Sequence, residues 1–259
     1  MTKTILNWSG GKDSARALYE LQRQPGTLEI SQLVTTISMA YDRITQHGVK
    51  TELLLKQADA IGLPLYCIYL PDSPTMENYN RMMSRSFHYF KTCGYSDTVY
   101  GDIFLENLRS FREEKASEMG FKAHFPLWKR STEELARSFV DAGFKAITVC
   151  VDDRYLGEDF IGREYNHQFL DDLPDGVDLC GEYGEFHTFV YDGPVFSSPV
   201  PVRKAEIVHR YHEKPESDSS DSDTGENSSA NSGQSDFNAS SDHSSENPGC
   251  WYCELVEDD

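Results

Sequence analysis

Ser9-Gly10-Gly11-Lys12-Asp13-Ser14 decides how this 259-residue chain is read. The apolar stretch Thr4-Ile5-Leu6-Asn7-Trp8 precedes it, and Ala15, Ala17, Leu18 and Leu21 follow at helical spacing, so the order is strand, glycine turn, helix. Two adjacent glycines let an anion approach the backbone, and the helix start beyond them offers unpaired N–H groups and the positive end of its dipole. Ser9 and Ser14 add hydroxyl donors, Lys12 supplies a mobile charge for phosphates, and Asp13 either holds Lys12 or helps to place a magnesium ion. Phosphate belongs at this junction. Because Lys12 is followed by Asp13 rather than Ser or Thr, and no glycine heads the loop, this is not the usual mononucleotide loop, and transfer of the γ-phosphate is disfavoured.

Outward from the loop, strands and helices alternate. Gln32 to Ser38 and Leu65 to Leu70 are strand-like, as is the short Thr98 to Tyr100. Thr51 to Ile61 and Thr75 to Thr92 have helical spacing, the latter carrying Met76, Tyr79, Met83, Phe87 and Phe90 on a core-facing stripe; another helix spans about Phe104 to Met119. Such alternation predicts an α/β fold with a doubly wound parallel sheet, its ligand beyond the carboxyl ends of the strands. Adenine is expected near Thr36 to Ser38.

The pattern changes at Phe125-Pro126-Leu127-Trp128. Ser131 with Glu134 forms a capping box for a helix to about Ala142, Ala146 to Val151 reads as a buried strand, Gly162 to Leu170 as a short helix and His187 to Tyr191 as a strand. The expected organisation is an ATP-binding domain over residues 1–124 and a smaller mixed α/β domain over 125–212. An acidic, Ser-rich insertion follows over 213–249, with a returning strand over 250–259. Trp251 to Val256 is expected to pair with Ala205 to Tyr211, while the insertion, whose only aromatic is Phe237, cannot repay ordering by burial and is expected to be disordered.

The net charge of −19 is concentrated in that insertion and the final strand. Residues 213–259 carry thirteen acidic residues against Lys214 alone, which leaves about −7 on residues 1–212. No basic, aromatic-interleaved segment is present, so nucleic acid is not an expected partner. No run is apolar and long enough for a membrane span or a signal peptide, so the cytoplasm is the expected location. Six scattered cysteines suggest reduced packing thiols, and Cys250 and Cys253 form a CxxC pair without the second pair zinc needs. A homo-oligomer is compatible with all of this.

Two further stretches carry chemistry. In Gly181-Glu182-Tyr183-Gly184-Glu185-Phe186-His187-Thr188-Phe189, Glu182, Glu185 and His187 stand where they would bind an amine nucleophile, accept a proton or complete a metal shell. In Gly101-Asp102-Ile103-Phe104-Leu105-Glu106-Asn107-Leu108-Arg109-Ser110-Phe111-Arg112, Asp102 is a candidate magnesium ligand or helix cap, and Arg109 and Arg112 lie on the ensuing helix.

The loop resembles the signature of the PP-loop ATP pyrophosphatases, and with the GDIFLENLR segment, the Pro126-Leu127-Trp128 step and the GEYGEFHTFVYDGPVF stretch the chain resembles the diphthine-ammonia ligase family. The resemblance implies a HUP-like fold, ATP and Mg²⁺, adenylation of a carboxylate with release of pyrophosphate, and transfer to ammonia or an amine. It implies binding of ATP by Ser9, Gly10, Gly11, Lys12, Asp13 and Ser14 and catalytic roles for Lys12, Asp13, Glu182 and Glu185; the strand-end position adds Thr36 and Ser38 to the nucleotide site, and Asp13 and Asp102 are the candidate metal ligands. In organisms that make diphthamide it implies elongation factor 2 as the acceptor. Tyr41 to Val49 and Phe186 to Phe189 look like the bacterial branch, for which the acceptor must be another molecule, a small carboxylate for example; Arg43, His47, Arg109, Glu182, Glu185 and His187 are the substrate-binding candidates. Two other functions compete: a nucleotide-binding regulatory module without turnover, and a tRNA-modifying PP-loop enzyme, which the acidic balance opposes.

Overall fold

The first strand, β1 (Thr2–Asn7), has Thr4, Ile5 and Leu6 fully buried, because it lies inside a sheet with helices on both faces. The computed structural model describes residues 2–24, 26, 28–45, 48–71, 75–211 and 248–258. Four more strands run parallel to β1: β2 (Leu28–Ser38), β4 (Leu65–Leu70), β5 (Asp97–Val99) and β6 (Lys122–His124). A two-residue strand, β3 (Arg43–Ile44), turns back antiparallel on the end of β2. The parallel strands lie in the order β4-β2-β1-β5-β6, so the winding reverses between β1 and β5 and opens a crevice at their carboxyl ends. This is the expected doubly wound sheet.

The helices are α1 (Lys12–Gln22), α2 (Thr51–Ile61), α3 (Met76–Thr92) and α4 (Glu106–Glu118). Thr75 caps α3 by accepting from the Asn78 N–H at 3.2 Å. One core, containing Leu6, Leu18, Leu33 and Leu54, continues without interruption into the second half through Phe139, Val149 and Phe189. A separate cluster of Ile5, Val34, Phe87, Phe90 and Ala116 fills the space under α3 and α4.

The second half is built on an antiparallel sheet, with β7 (Lys145–Asp152), β8 (Phe186–Asp192), β9 (Val202–Tyr211) and β10 (Gly249–Glu257) in the order β8-β7-β10-β9. Helix α5 (Thr132–Asp141) starts at the predicted capping box, where the Ser131 hydroxyl accepts from the Glu134 N–H at 3.3 Å. The expected pairing of the last strand is present, with Trp251 opposite His209 and Cys253 opposite Ile207. β10 also pairs with β7, so the returning strand is internal to the sheet. The insertion itself lies outside the described residues except for Pro248 and Gly249.

Local differences have local causes. The helix predicted from Gly162 begins only at His167, as α6 (His167–Asp172), because the Asn166 side chain caps it by accepting from the Phe169 N–H at 3.0 Å. β6 was not anticipated: Lys122-Ala123-His124 has no apolar run, and it is a strand because it docks on β5, with His124 Nε2 2.7 Å from Asp97 Oδ1.

Candidate active site

The loop between β1 and α1 is held from behind by buried polar contacts. Gln57, on α2, donates from Nε2 to the Gly10 carbonyl at 2.9 Å and to the Val190 carbonyl at 2.6 Å, and accepts from the Trp8 indole at 2.8 Å. The Val190 N–H donates to the Gly10 carbonyl, and the Lys12 N–H donates to the Thr188 hydroxyl at 3.1 Å, so β8 supports the loop directly. Gly10 has φ +77°, and a Cβ there would lie 2.7 Å from Leu54 Cδ2 and 2.9 Å from Gln57 Oε1. Only glycine fits without displacing the support.

In front of the loop a cavity of about 670 Å³ is lined by Ser9, Asp13, Ser14, Asp102, Glu182 and His187, with Thr35 and Thr36 from β2. Its size is ordinary for a small-molecule site, roughly 300–1,000 Å³. The Ser9 hydroxyl accepts from the Gly11 N–H at 3.3 Å, and the Ser14 hydroxyl donates to the Gly11 carbonyl at 2.9 Å.

Lys12 is a held charge, not a mobile one. Its side chain is 6% exposed, Nζ lies 3.0 Å from Asp13 Oδ2 and 5.3 Å from the centre of the Phe186 ring, and it does not line the large cavity. Burial acts to lower its pKa, but the charges of Asp13 and Glu182 and the hydrogen bond to Asp13 overcome that and raise it. Asp13, a third exposed, has its pKa raised by burial against the opposing effect of Lys12.

The acidic pair divides. Glu182 lines the cavity and accepts from the N–H groups of Ile103 and Phe104 at 2.8 and 3.3 Å, yet burial and the nearby Asp13 charge push its pKa up to about 7. Glu185 is 1% exposed, lies off the cavity, and uses both oxygens to hold its own loop, accepting from the N–H groups of Asp178 and Tyr183 at 3.0 Å each. Burial raises its pKa too. Asp178 organises the same turn by accepting from the N–H groups of Cys180 and Glu182. His187 faces the cavity, and burial together with the Lys12 charge lowers its pKa to about 4, so the ring is neutral at physiological pH.

Other sequence candidates sit elsewhere. Ser38 is off the cavity at the end of β2, opposite Arg43. Arg43 donates to the Gly48 carbonyl at 2.8 Å and pairs with Glu254 on β10. Arg109 pairs with Glu113 at 2.8 Å and lies over the rings of Phe125 and Trp128. His47 lies outside the described residues. The α4 arginine that reaches the cavity is Arg112, 2.9 Å from Asp102 Oδ2 and over the Tyr100 ring. Asn7, Thr35 and Tyr100 also line the cavity without a sequence signal, since only the sheet order places them together.

Magnesium is tested by the carboxylates. Asp102 is 8% exposed, its Oδ2 has no aligned hydrogen bond, and its pKa is raised by burial, opposed by Arg112 and reinforced by the Asp13 charge. Among the described residues no cluster of three or more His, Cys, Asp or Glu stands ready to hold a metal. Two carboxylates fit magnesium, which in nucleotide sites takes one or two and completes its shell with phosphate oxygens and water.

Comparison with known proteins agrees with this architecture. Residues 2–123 match the diphthamide synthase N-terminal domain and residues 131–215 the diphthamide synthase C-terminal domain. A zebrafish (Danio rerio) diphthine-ammonia ligase is 24% identical over 221 residues, 77% of this chain and 86% of its own length. The mouse (Mus musculus) protein of that name is 34% identical over 116 residues, 42% of each chain, and the human (Homo sapiens) one 32% over 90 residues, 32% of this chain and 33% of its own. Thus the matched segments span less than half of the mouse and human relatives. The two domain matches, in order along most of the chain, place this protein in the diphthamide synthase family.

Proposed function

We propose that this protein is an ATP-dependent, AMP-forming ligase that adenylates a carboxylate and transfers the acyl group to ammonia or an amine. The observation that carries the reading is the convergence, on one cavity, of the glycine loop, the Asp13 and Asp102 carboxylates and a Glu182 whose pKa stands near 7. Residues 1–124 hold the nucleotide, while residues 125–212 supply Glu182 and, through β8, support the loop; the strand over 250–259 completes the sheet that carries β8. The names of the relatives point to diphthine as acceptor and ammonia as donor. Where diphthamide is made, the acceptor is carried by elongation factor 2; otherwise it is another carboxylate.

Ser9, Ser14 and the α1 N-terminus bind the phosphates, with adenine toward Thr35 and Thr36 at the end of β2. The acceptor carboxylate attacks the α-phosphorus, the bond to the bridging oxygen breaks, and pyrophosphate leaves. Lys12 sets the charge of the loop from below through Asp13. Asp13 and Asp102 would hold magnesium, which supplies neutralisation of the phosphate charge. Ammonia then attacks the acyl carbon, AMP departs, and Glu182 takes the proton released by the nitrogen; a carboxylate with pKa near 7 both accepts and returns a proton at neutral pH. Separating the nucleotide products after incubation with ATP, ammonium and an accepted carboxylate tests the reading: AMP and pyrophosphate are expected, and ADP with orthophosphate would overturn it.

A further inference from the structure

The cavity is larger than its phosphate end. Helix α3 packs along β4 and α4 along β6, near opposite edges of the parallel sheet, and between the two helices the cavity continues as a lobe. Tyr79 and Met83 on α3, Leu108 on α4 and Met119 just past its end supply its apolar side chains, beside the Lys115–Glu118 ion pair that also lines it. Where the lobe meets the phosphate loop stands Arg112, its guanidinium 4.6 Å from the centre of the Tyr100 ring. Its Nε is 2.9 Å from Asp102 Oδ2, yet neither atom has an aligned hydrogen bond, and the terminal NH2 groups remain for a second carboxylate.

We propose that this lobe is the acceptor site, and that the acceptor it takes is a small amphipathic carboxylic acid. Its carboxylate engages Arg112 next to the phosphates, and its apolar body lies along Met83, Leu108 and Met119. Three properties lead there. A guanidinium binds a carboxylate in a planar, two-point fashion, which Asp102, 2.9 Å from Nε without an aligned hydrogen bond, does not supply. Methionine walls adapt to a flexible chain. Asp102 follows directly on Gly101, where a Cβ would lie 3.0 Å from the Asp13 carbonyl carbon, so a carboxylate at Arg112 is next to the loop. The inference rests on the ligase reading for its chemistry, whereas the binding site stands on its own geometry.

The probes are hexanoate and acetate, titrated calorimetrically into the full chain with a non-hydrolysable ATP analogue, alongside AMP release from ATP with ammonium. Hexanoate is expected to bind at least tenfold more tightly than acetate. Arg112→Gln is expected to weaken hexanoate by roughly tenfold to a hundredfold, the loss of a charge-assisted contact. Met83→Trp and Leu108→Trp, each filling the lobe, are expected to abolish the preference for hexanoate while ATP-analogue affinity stays within twofold, a readout that also shows the variants are folded. The lobe assignment is overturned if hexanoate binds no better than acetate, if the tryptophan variants weaken the ATP analogue instead, or if only a diphthine-bearing protein is accepted. Hexanoate binding that follows these variants without AMP release would keep the lobe and reject the ligase reading.

Discussion

Replacing Glu182 by Gln should stabilise the protein at alkaline pH while stopping the reaction. Burial and the Asp13 charge raise the Glu182 pKa from its ordinary 4.5 to about 7. Between those values the folded state keeps a proton that the unfolded chain has released, so the group contributes stability that is complete below pH 4.5 and lost as pH rises through 7. A rise of this size corresponds to about 3 kcal/mol, which solvent reaching the cavity reduces to roughly 1–3 kcal/mol. Glutamine is neutral at every pH, and its carbonyl oxygen still accepts from the N–H groups of Ile103 and Phe104, so Glu182→Gln should match the parent at pH 4.5 and exceed it at pH 8.5. Urea unfolding of both proteins at the two pH values isolates the effect as a difference of differences, since other titrating groups cancel to first order. A variant no more stable than the parent at pH 8.5, or stabilised equally at both, would refute the argument that Glu182 is a strained carboxylate in the folded site. The same variant should lose most AMP formation, because the amide cannot take a proton.

The other predictions concern the supports. Gly10→Ala places a Cβ against Leu54 and Gln57 at a left-handed φ, and should cost about 2–5 kcal/mol in urea unfolding; a loss under about 0.5 kcal/mol would show that the loop is not constrained as described. Glu185→Gln puts an NH2 group against a backbone N–H and should destabilise by about 1–3 kcal/mol, in contrast to Glu182→Gln, with a fall in melting temperature as the readout. Arg43→Ala should change stability by no more than about 1 kcal/mol and leave the KM values for nucleotide and acceptor unaltered, because its partner is the partly exposed Glu254; a large KM effect would return Arg43 to the substrate site.

Much of the site was legible because its chemistry is local. The glycine loop, the strand before it and the helix after it lie within some twenty consecutive residues, and the Ser131 cap is a four-residue pattern. The direction of each side chain was not legible. Arg109 is the candidate in sequence and Arg112 its neighbour one turn on, within about 60° on the same side of the helix, so only the docking of α4 decides that Arg112 enters the cavity and Arg109 stacks on Phe125 and Trp128. Glu182 and Glu185 are equivalent until the Asp178 turn closes on Glu185.

Residue order alone determined the alternating elements, the glycine turn between β1 and α1 and the pairing of the final strand with Ala205 to Tyr211, since each depends on periodicity and backbone preference within its own segments. Tertiary structure decided that Lys12 is buried beneath the loop, that Glu182 titrates near 7, and that the cavity extends between α3 and α4. Those properties arise from desolvation and from charges brought together across the fold, among them Asp13 and Glu182, 169 positions apart in the chain.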